Sequence, residues 1–350
     1  MSDDITERQL AELGWREEFF TQLTSDEWGR SVVARVVAEH RAHLEVVTAA
    51  GTERLSRPLW TRDDPTTVGD WVLIDRETRL LQRFLTRRSL FQRKAPGTAR
   101  DAQLIAANVD TLFIVTSCNH DFNVARIERY LVLAAEANVT PVLVVTKVDE
   151  AEDPQAFRTA AEAIRAELPV CMLNALEARE ADRLGRWCGF GETVALVGSS
   201  GVGKSTIVNS LLDRSIQRTS GIREDDSKGR HTTSARSMNR LAMGGWLIDT
   251  PGMREIQLFD AAEGVAKVFV EIADLARECK FSDCSHRSEP GCAVRRAIEE
   301  GLIDEGRLER YMKLEREQTY NSETLAERRS REKRFQKRVN VAVRSKRIKR

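Results

Sequence analysis

The chain lacks any apolar run of the length a membrane-spanning helix needs, so its 350 residues do not read as a bilayer-embedded protein. Its first residues, MSDDITERQL, are acidic and carry no apolar stretch of the kind a secretory signal requires. The expected location is the cytoplasm. Six cysteines do not make a disulfide framework in a cytoplasmic chain of this length. Cys118, Cys171 and Cys188 stand alone and read as small buried apolar residues rather than nucleophiles. No internal repeat is present, which leaves aside the repeat architectures.

Net charge is also nearly absent, at +1, yet the charges are strongly segregated. Residues 1–28 hold Asp3, Asp4, Glu7, Glu12, Glu17, Glu18, Asp26 and Glu27 against Arg8 and Arg16. The chain closes with RRSREKRFQKRVNVAVRSKRIKR, almost entirely basic. A local basic run makes its own field, and this one reads as a nucleic-acid contact ahead of a merely solvated tail.

What is present is a globular composition, 41% hydrophobic and 31% charged, in a chain too long for one ordinary domain. Residues 5–23 read as a short helical extension with Gly14 as a break. From Ser31 to about Phe91 the pattern turns to short β-type runs, SVVARVVAEH, HLEVVTAA, DWVLIDR and RLLQRFL, with turn signals at Gly51 and Val68-Gly69-Asp70. Such spacing predicts a small barrel, with an OB-fold favoured. Ser89–Gly97 reads as a linker. Beyond it, apolar strands alternate with helices: 110–117, 124–137, 139–147, 154–167, 169–175, 192–198, a helix from Lys204, and 244–250. That alternation predicts a parallel sheet covered on both faces.

The segment Gly198-Ser199-Ser200-Gly201-Val202-Gly203-Lys204-Ser205-Thr206 fits G-x-x-x-x-G-K-[ST] between an apolar strand and a helix. Its glycines turn backbone N–H groups onto phosphate oxygens, Lys204 reaches the β- and γ-phosphates, and Ser205 gives a hydroxyl to Mg²⁺. Asp249-Thr250-Pro251-Gly252 follows at another strand end. There an acid holds Mg²⁺ through water and Gly252 offers an N–H to the γ-phosphate. Between them, residues 218–233 suit a mobile switch loop in which Thr232 or Thr233 completes the Mg²⁺ shell.

The base is read elsewhere. Thr146-Lys147-Val148-Asp149 places a carboxylate that accepts from guanine N1–H and the N2 amine together, with the Lys147 stem over the ring. Adenine presents no such donor pair. Asn174-Ala175, at the end of the next strand, supplies a backbone N–H. The base-reading loop thus precedes the phosphate loop, the reverse of the usual order. A circular permutation moves the termini but leaves every strand-end loop in place.

Cys279, Cys284, His286 and Cys292 fall within one short polar segment bent at Pro290-Gly291. Three thiols and an imidazole match a closed structural zinc site, one per chain, whose binding contributes on the order of 10 kcal/mol of folding free energy.

Together with Ala95-Pro96-Gly97, Ile105–Asp110 and Arg230-His231-Thr232-Thr233, these motifs resemble the circularly permuted ribosome small-subunit-dependent GTPases, the RsgA/YjeQ family. The resemblance spans roughly residues 30–315. It implies a multidomain α/β protein: an acidic helical extension over 1–29, an OB-fold barrel over 30–92, and a permuted GTPase domain over 95–258. A zinc-binding helical domain over 259–322 and a basic tail over 323–350 complete it. It further implies hydrolysis of GTP to GDP and phosphate, stimulated by the small ribosomal subunit and its rRNA, in late maturation of that subunit. A monomer without membrane contact is expected. The acidic N-terminus, the long basic tail and Asn174 in place of a more usual Ser depart from the family pattern. Met253 follows Asp249–Gly252 where many GTPases place a water-orienting Gln soon afterwards, so intrinsic turnover is expected to be slow and His231 becomes the candidate for positioning water. The alternative is a GTP-binding RNA scaffold without significant hydrolysis. A P-loop ATPase or kinase is the other rival.

Overall fold

In the computed structural model, residues 2–58, 65–94, 102–212, 236–249, 258 and 261–322 are described. They fall into two compact units, Met1–Gln92 with Leu104–Ile256, and Arg93–Gln103 with Gln257–Arg350.

The acidic N-terminus folds as α1 (Ser2–Glu12), α2 (Glu17–Phe20) and α3 (Ser25–Arg30), broken at Gly14. Thr24 and Glu27 form a reciprocal capping box that starts α3. Leu10, Leu13 and Phe19 are buried, and Trp15 meets Trp71 edge-on at 4.9 Å between ring centroids. The acids find basic partners on the body: Glu12 with Arg240 at 2.7 Å and Glu27 with Arg83 at 2.7 Å. These two acids dock the N-terminal segment onto the body.

Five antiparallel strands follow: β1 (Ser31–Glu39), β2 (His43–Thr48), β3 (Gly51–Ser56), β4 (Trp71–Asp75) and β5 (Leu81–Phe84). They run in the order β3-β2-β1-β4-β5, with a register shift in β1 between Val36 and Ala38. Period-2 alternation in β2 turns Leu44 and Val46 inward, where they join Ala34, Val36, Leu55, Val72, Ile74 and Leu81 in one core. Each such Val or Leu, fully buried, contributes about 1.5–3 kcal/mol. Strand β3 was not foreseen, because GTERLS buries only Leu55 and is otherwise polar.

The expected linker at Ser89–Gly97 is corrected in part: Leu90–Lys94 forms β6, paired with β7 (Ala102–Ala107). Phe91 is buried and Ser89 Oγ donates to Val109 O at 2.7 Å, so the segment is anchored although its polar residues read as a loop. Ala95-Pro96-Gly97 lies outside the described residues.

The nucleotide-type sheet comprises β8 (Thr111–Ser117), α4 (Val124–Glu136), β9 (Thr140–Thr146), α5 (Pro154–Glu162), β10 (Val170–Met172), α6 (Ala178–Ala181), a 3₁₀ turn over Asp182–Trp187, β11 (Thr193–Gly198), α7 (Lys204–Leu211), β12 (Arg236–Arg240) and β13 (Trp246–Asp249). Helix α5 stops five residues short of the expected 167. Strands β10-β9-β8-β11-β13 are parallel, so their C-terminal ends share one sheet edge. The antiparallel β12 then pairs with β1 through Ala38↔Ser237 and Glu39↔Arg236. The N-terminal β region and the nucleotide sheet are therefore one continuous hydrogen-bonded surface, which period and composition do not reveal.

A polar joint holds that seam. Arg35, 1% exposed, donates to Leu13 O, to Asn108 O at 3.1 Å and to Thr193 Oγ1 at 2.8 Å. Burial pushes its guanidinium down to about 10, against the attraction of Asp110. Asp110 takes Arg16 and Arg88 on Oδ1, each at 2.9 Å, and Thr193 N on Oδ2. Gly69, at φ +93°, is the glycine of Val68-Gly69-Asp70; a Cβ there would meet Ala107 O at 2.0 Å.

In the second unit, α8 (Ala262–Val268), α9 (Val270–Arg277), α10 (Ala293–Glu299) and α11 (Glu305–Ser322) pack around Phe269. Tyr311 lies 5.7 Å from that ring and the Arg307 guanidinium 4.2 Å from its centroid. The basic tail lies outside the described residues. Among the described residues no helix is long and apolar enough to cross a membrane.

Candidate functional site

Three strand ends at the shared edge carry the nucleotide motifs. Strand β11 runs into Gly198, where a Cβ would stand 2.1 Å from Val115 O. Only glycine permits β8 to pass that closely, and φ +145° at Gly198 starts the turn of the phosphate loop. The loop ends at Gly203 and α7 opens at Lys204. Lys204 is buried; its Nζ donates to Gly198 O at 2.8 Å and to Ser199 O. Ser205 is exposed in the first turn of α7.

The guanine-type motif sits against this loop. Thr146, fully buried, donates its hydroxyl to Val202 O at 2.7 Å, with Thr116 O a further acceptor at 3.1 Å. A Cβ on Gly203 would stand 3.5 Å from Thr146 Oγ1 and 3.7 Å from Ala175 Cβ. Residues 146, 175 and 203 therefore converge although they are distant in sequence. Lys147 takes φ +57°, a left-handed conformation uncommon outside glycine, and Glu150 N donates to Lys147 O at 3.1 Å. That turn leaves Asp149 exposed at the end of the strand.

Asn174 forms a side-chain turn, its Oδ1 accepting from Leu176 N at 3.0 Å, while its own N–H is taken by Glu180 Oε2 at 3.1 Å. Asn thus suits the position as a turn former. Asp249 is exposed at the last residue of β13, opposite Ser237. Gly252, His231, Thr232, Thr233 and Met253 lie outside the described residues.

One neighbour was not foreseen. Asn123 caps α4, accepting from Arg126 N at 3.0 Å, and so sets Arg126 in the first turn beside the phosphate loop. Its Nη1 donates to Asp121 Oδ1 at 2.6 Å and to Ser199 Oγ. The proximity depends on the β8–β11 pairing and is not visible in the sequence.

The second unit brings Cys279, Cys284, His286 and Cys292 together, with every ligand atom within 4.8 Å of the others. Cys279 Sγ lies 3.8 Å from Cys292 Sγ, and His286 Nδ1 lies 3.6 and 3.5 Å from those two sulfurs. Tetrahedral zinc with ordinary bond lengths requires about 3.8 Å between sulfurs and about 3.5 Å between sulfur and nitrogen. The donor set and its spacing fit that ion. Glu289 clamps the loop, its carboxylate accepting from the N–H groups of Ser285, Arg287 and Ser288 at 3.1, 2.9 and 3.1 Å. The lone cysteines are buried, and burial pushes the Cys188 thiol up to about 12.

Comparison with known proteins identifies the family and the fold. A family model described as RsgA GTPase matches residues 84–259. A small ribosomal subunit biogenesis GTPase RsgA 2 of Vibrio parahaemolyticus is 48% identical over 332 residues, 95% of this chain and 92% of that protein. A small ribosomal subunit biogenesis GTPase RsgA of Mesorhizobium japonicum is 50% identical over 316 residues, 89% of this chain and 91% of that protein. The crystal structure of YjeQ from Thermotoga maritima has a TM-score of 0.60 at 25% identity, covering 81% of this chain and 97% of that one. That of YloQ, a circularly permuted GTPase, shares the fold with a TM-score of 0.58 at 21% identity, covering 81% and 93%.

Proposed function

Because the chain belongs to the RsgA GTPase family, we propose that it is a GTPase of small ribosomal subunit biogenesis, binding that subunit and hydrolysing GTP when the subunit stimulates it. The observation that carries this reading is the Thr146 Oγ1 bond to Val202 O, which ties the base-reading loop to the phosphate loop across 56 residues of reversed order. A permuted chain needs that closure to make one nucleotide site.

In this reading Lys204 exchanges the carbonyls of Gly198 and Ser199 for the β- and γ-phosphates. Backbone N–H groups from Gly198 to Thr206 line the phosphates, and Asp149 takes the guanine donors with Lys147 over the ring. Ala175 N–H supports the base, since Asn174 N–H is already committed to Glu180. Ser205 and Asp249, with Thr232 or Thr233, hold Mg²⁺, which when bound neutralises charge on the β- and γ-phosphates. His231 positions the attacking water once the subunit orders the switch segment, and Met253 leaves intrinsic turnover slow. The Cys₃His set holds one zinc ion structurally, with all four positions filled. The basic tail contacts rRNA, and the protein acts as a cytoplasmic monomer.

The test is GTP hydrolysis at fixed salt with and without purified small subunits. Strong stimulation, abolished by Lys204→Ala and reduced by His231→Ala, is the expected result. Tight GTP binding without stimulation would refute the ribosome-dependent activity and favour the RNA scaffold.

A further inference from the structure

We propose a second metal site, distinct from the Cys₃His cluster, at His40, His43 and Glu45 on the β1–β2 hairpin: a site for a borderline divalent ion of the zinc, nickel or cobalt class. The hairpin builds it from local rules. His40 N donates to His43 O at 3.0 Å and closes the turn. The alternation that buries Leu44 and Val46 sends His43 and Glu45 to the opposite face of β2, next to the turn that carries His40. The ligand atoms of all three residues lie within 4.8 Å of one another.

The imidazoles are the telling feature. They stack 4.3 Å apart, 18° from parallel, and both Nε2 atoms are buried with no hydrogen-bond partner among the described residues. A buried polar atom left unmade costs about 1–3 kcal/mol, so two on adjacent rings call for a shared ligand. Glu45 Oε1 stands 3.7 Å from His40 Nε2 and 4.0 Å from His43 Nε2, too far to hydrogen-bond. Nitrogen and oxygen ligands on tetrahedral zinc lie about 3.3 Å apart. The Glu45 contacts must shorten by about 0.4 and 0.7 Å, and the stacked rings must turn so that their in-plane lone pairs converge on one ion.

Two imidazoles and a carboxylate suit borderline transition ions rather than magnesium or calcium, which prefer oxygen alone. Three protein ligands leave a fourth position for water. The resident competitor is Arg54, whose Nη2 lies 3.1 Å from Glu45 Oε1. That side chain is 74% exposed, and such a surface pair yields readily.

The experiment uses full-length protein carrying one equivalent of zinc, verified by elemental analysis, and titrates Ni²⁺ against a chromophoric chelator. A second equivalent is expected, weakened at least about tenfold by His40→Ala, by His43→Ala and by Glu45→Gln, and strengthened by Arg54→Ala as the competing cation is removed. Circular dichroism and melting temperature establish that the variants remain folded. Stoichiometry of one in the folded wild type overturns the proposal. So does a second equivalent that survives in the folded His40→Ala/His43→Ala double variant, which would place it at His120, His231 or another group.

Discussion

Replacing Thr146 with Val tests whether the phosphate loop is held in place by the base-reading loop. Val has nearly the same volume and puts a methyl where the hydroxyl was, so no cavity opens at this fully buried position. What is lost is the 2.7 Å bond to Val202 O, one residue before Gly203 and two before Lys204. Deleting the donor to a buried carbonyl costs about 1–3 kcal/mol. If that bond orders the loop before nucleotide arrives, the cost falls on binding, and GDP affinity drops roughly 5- to 150-fold. A fluorescent guanine nucleotide titrated against wild type and Thr146→Val measures this directly, with the melting temperature of the nucleotide-free proteins alongside. An unchanged Kd refutes the reasoning. An unchanged Kd with a lowered melting temperature assigns the hydroxyl to fold stability alone.

Asp149→Asn exchanges a carboxylate acceptor for an amide, so affinity for guanine nucleotides should fall while that for xanthosine nucleotides rises; competition titration reads both. Arg35→Met keeps most of the buried volume but leaves Leu13 O, Asn108 O and Thr193 Oγ1 without their donor, and should destabilise the first unit by about 3–5 kcal/mol, seen as a lower urea midpoint. Glu27→Gln tests the docking contact with Arg83. The Arg83 guanidinium and the Thr24 backbone hold the Glu27 carboxyl down at about 2, from an ordinary 4.5. Its stabilising effect is therefore complete above the ordinary value and lost as pH falls toward 2. The difference in urea midpoint between wild type and Glu27→Gln should be full near neutral pH and shrink on acidification; a difference independent of pH would refute the ion-pair account.

Much of the site was legible before any coordinates. The phosphate loop, the base-reading loop and the Cys₃His segment are contiguous strings whose chemistry depends on neighbours in sequence, and their order alone implies permutation. The strands of the nucleotide sheet are visible for the same reason: burial on both faces forces continuous Val, Leu and Ile runs, as in the fully buried β8. Strands β3 and β6 were missed because each buries few side chains and earns its conformation from backbone pairing with a partner strand.

What only the tertiary structure decided are the encounters between distant segments. That Thr146 bonds Val202, that Arg126 reaches Ser199, and that Arg35 joins Leu13, Asn108 and Thr193 follow from parallel strand pairing and from the docking of the N-terminal helices. The acids of the first 28 residues depart from the family pattern in sequence; the fold sets Glu12 and Glu27 against Arg240 and Arg83. The stacked His40 and His43 were invisible for a related reason. In sequence they are two ordinary polar residues near a turn, and only the hairpin closes the distance that gives their nitrogens a common ligand. Short-range chemistry is written in motifs, whereas hydrogen bonds between remote segments exist only once packing has met the entropic cost of bringing them together.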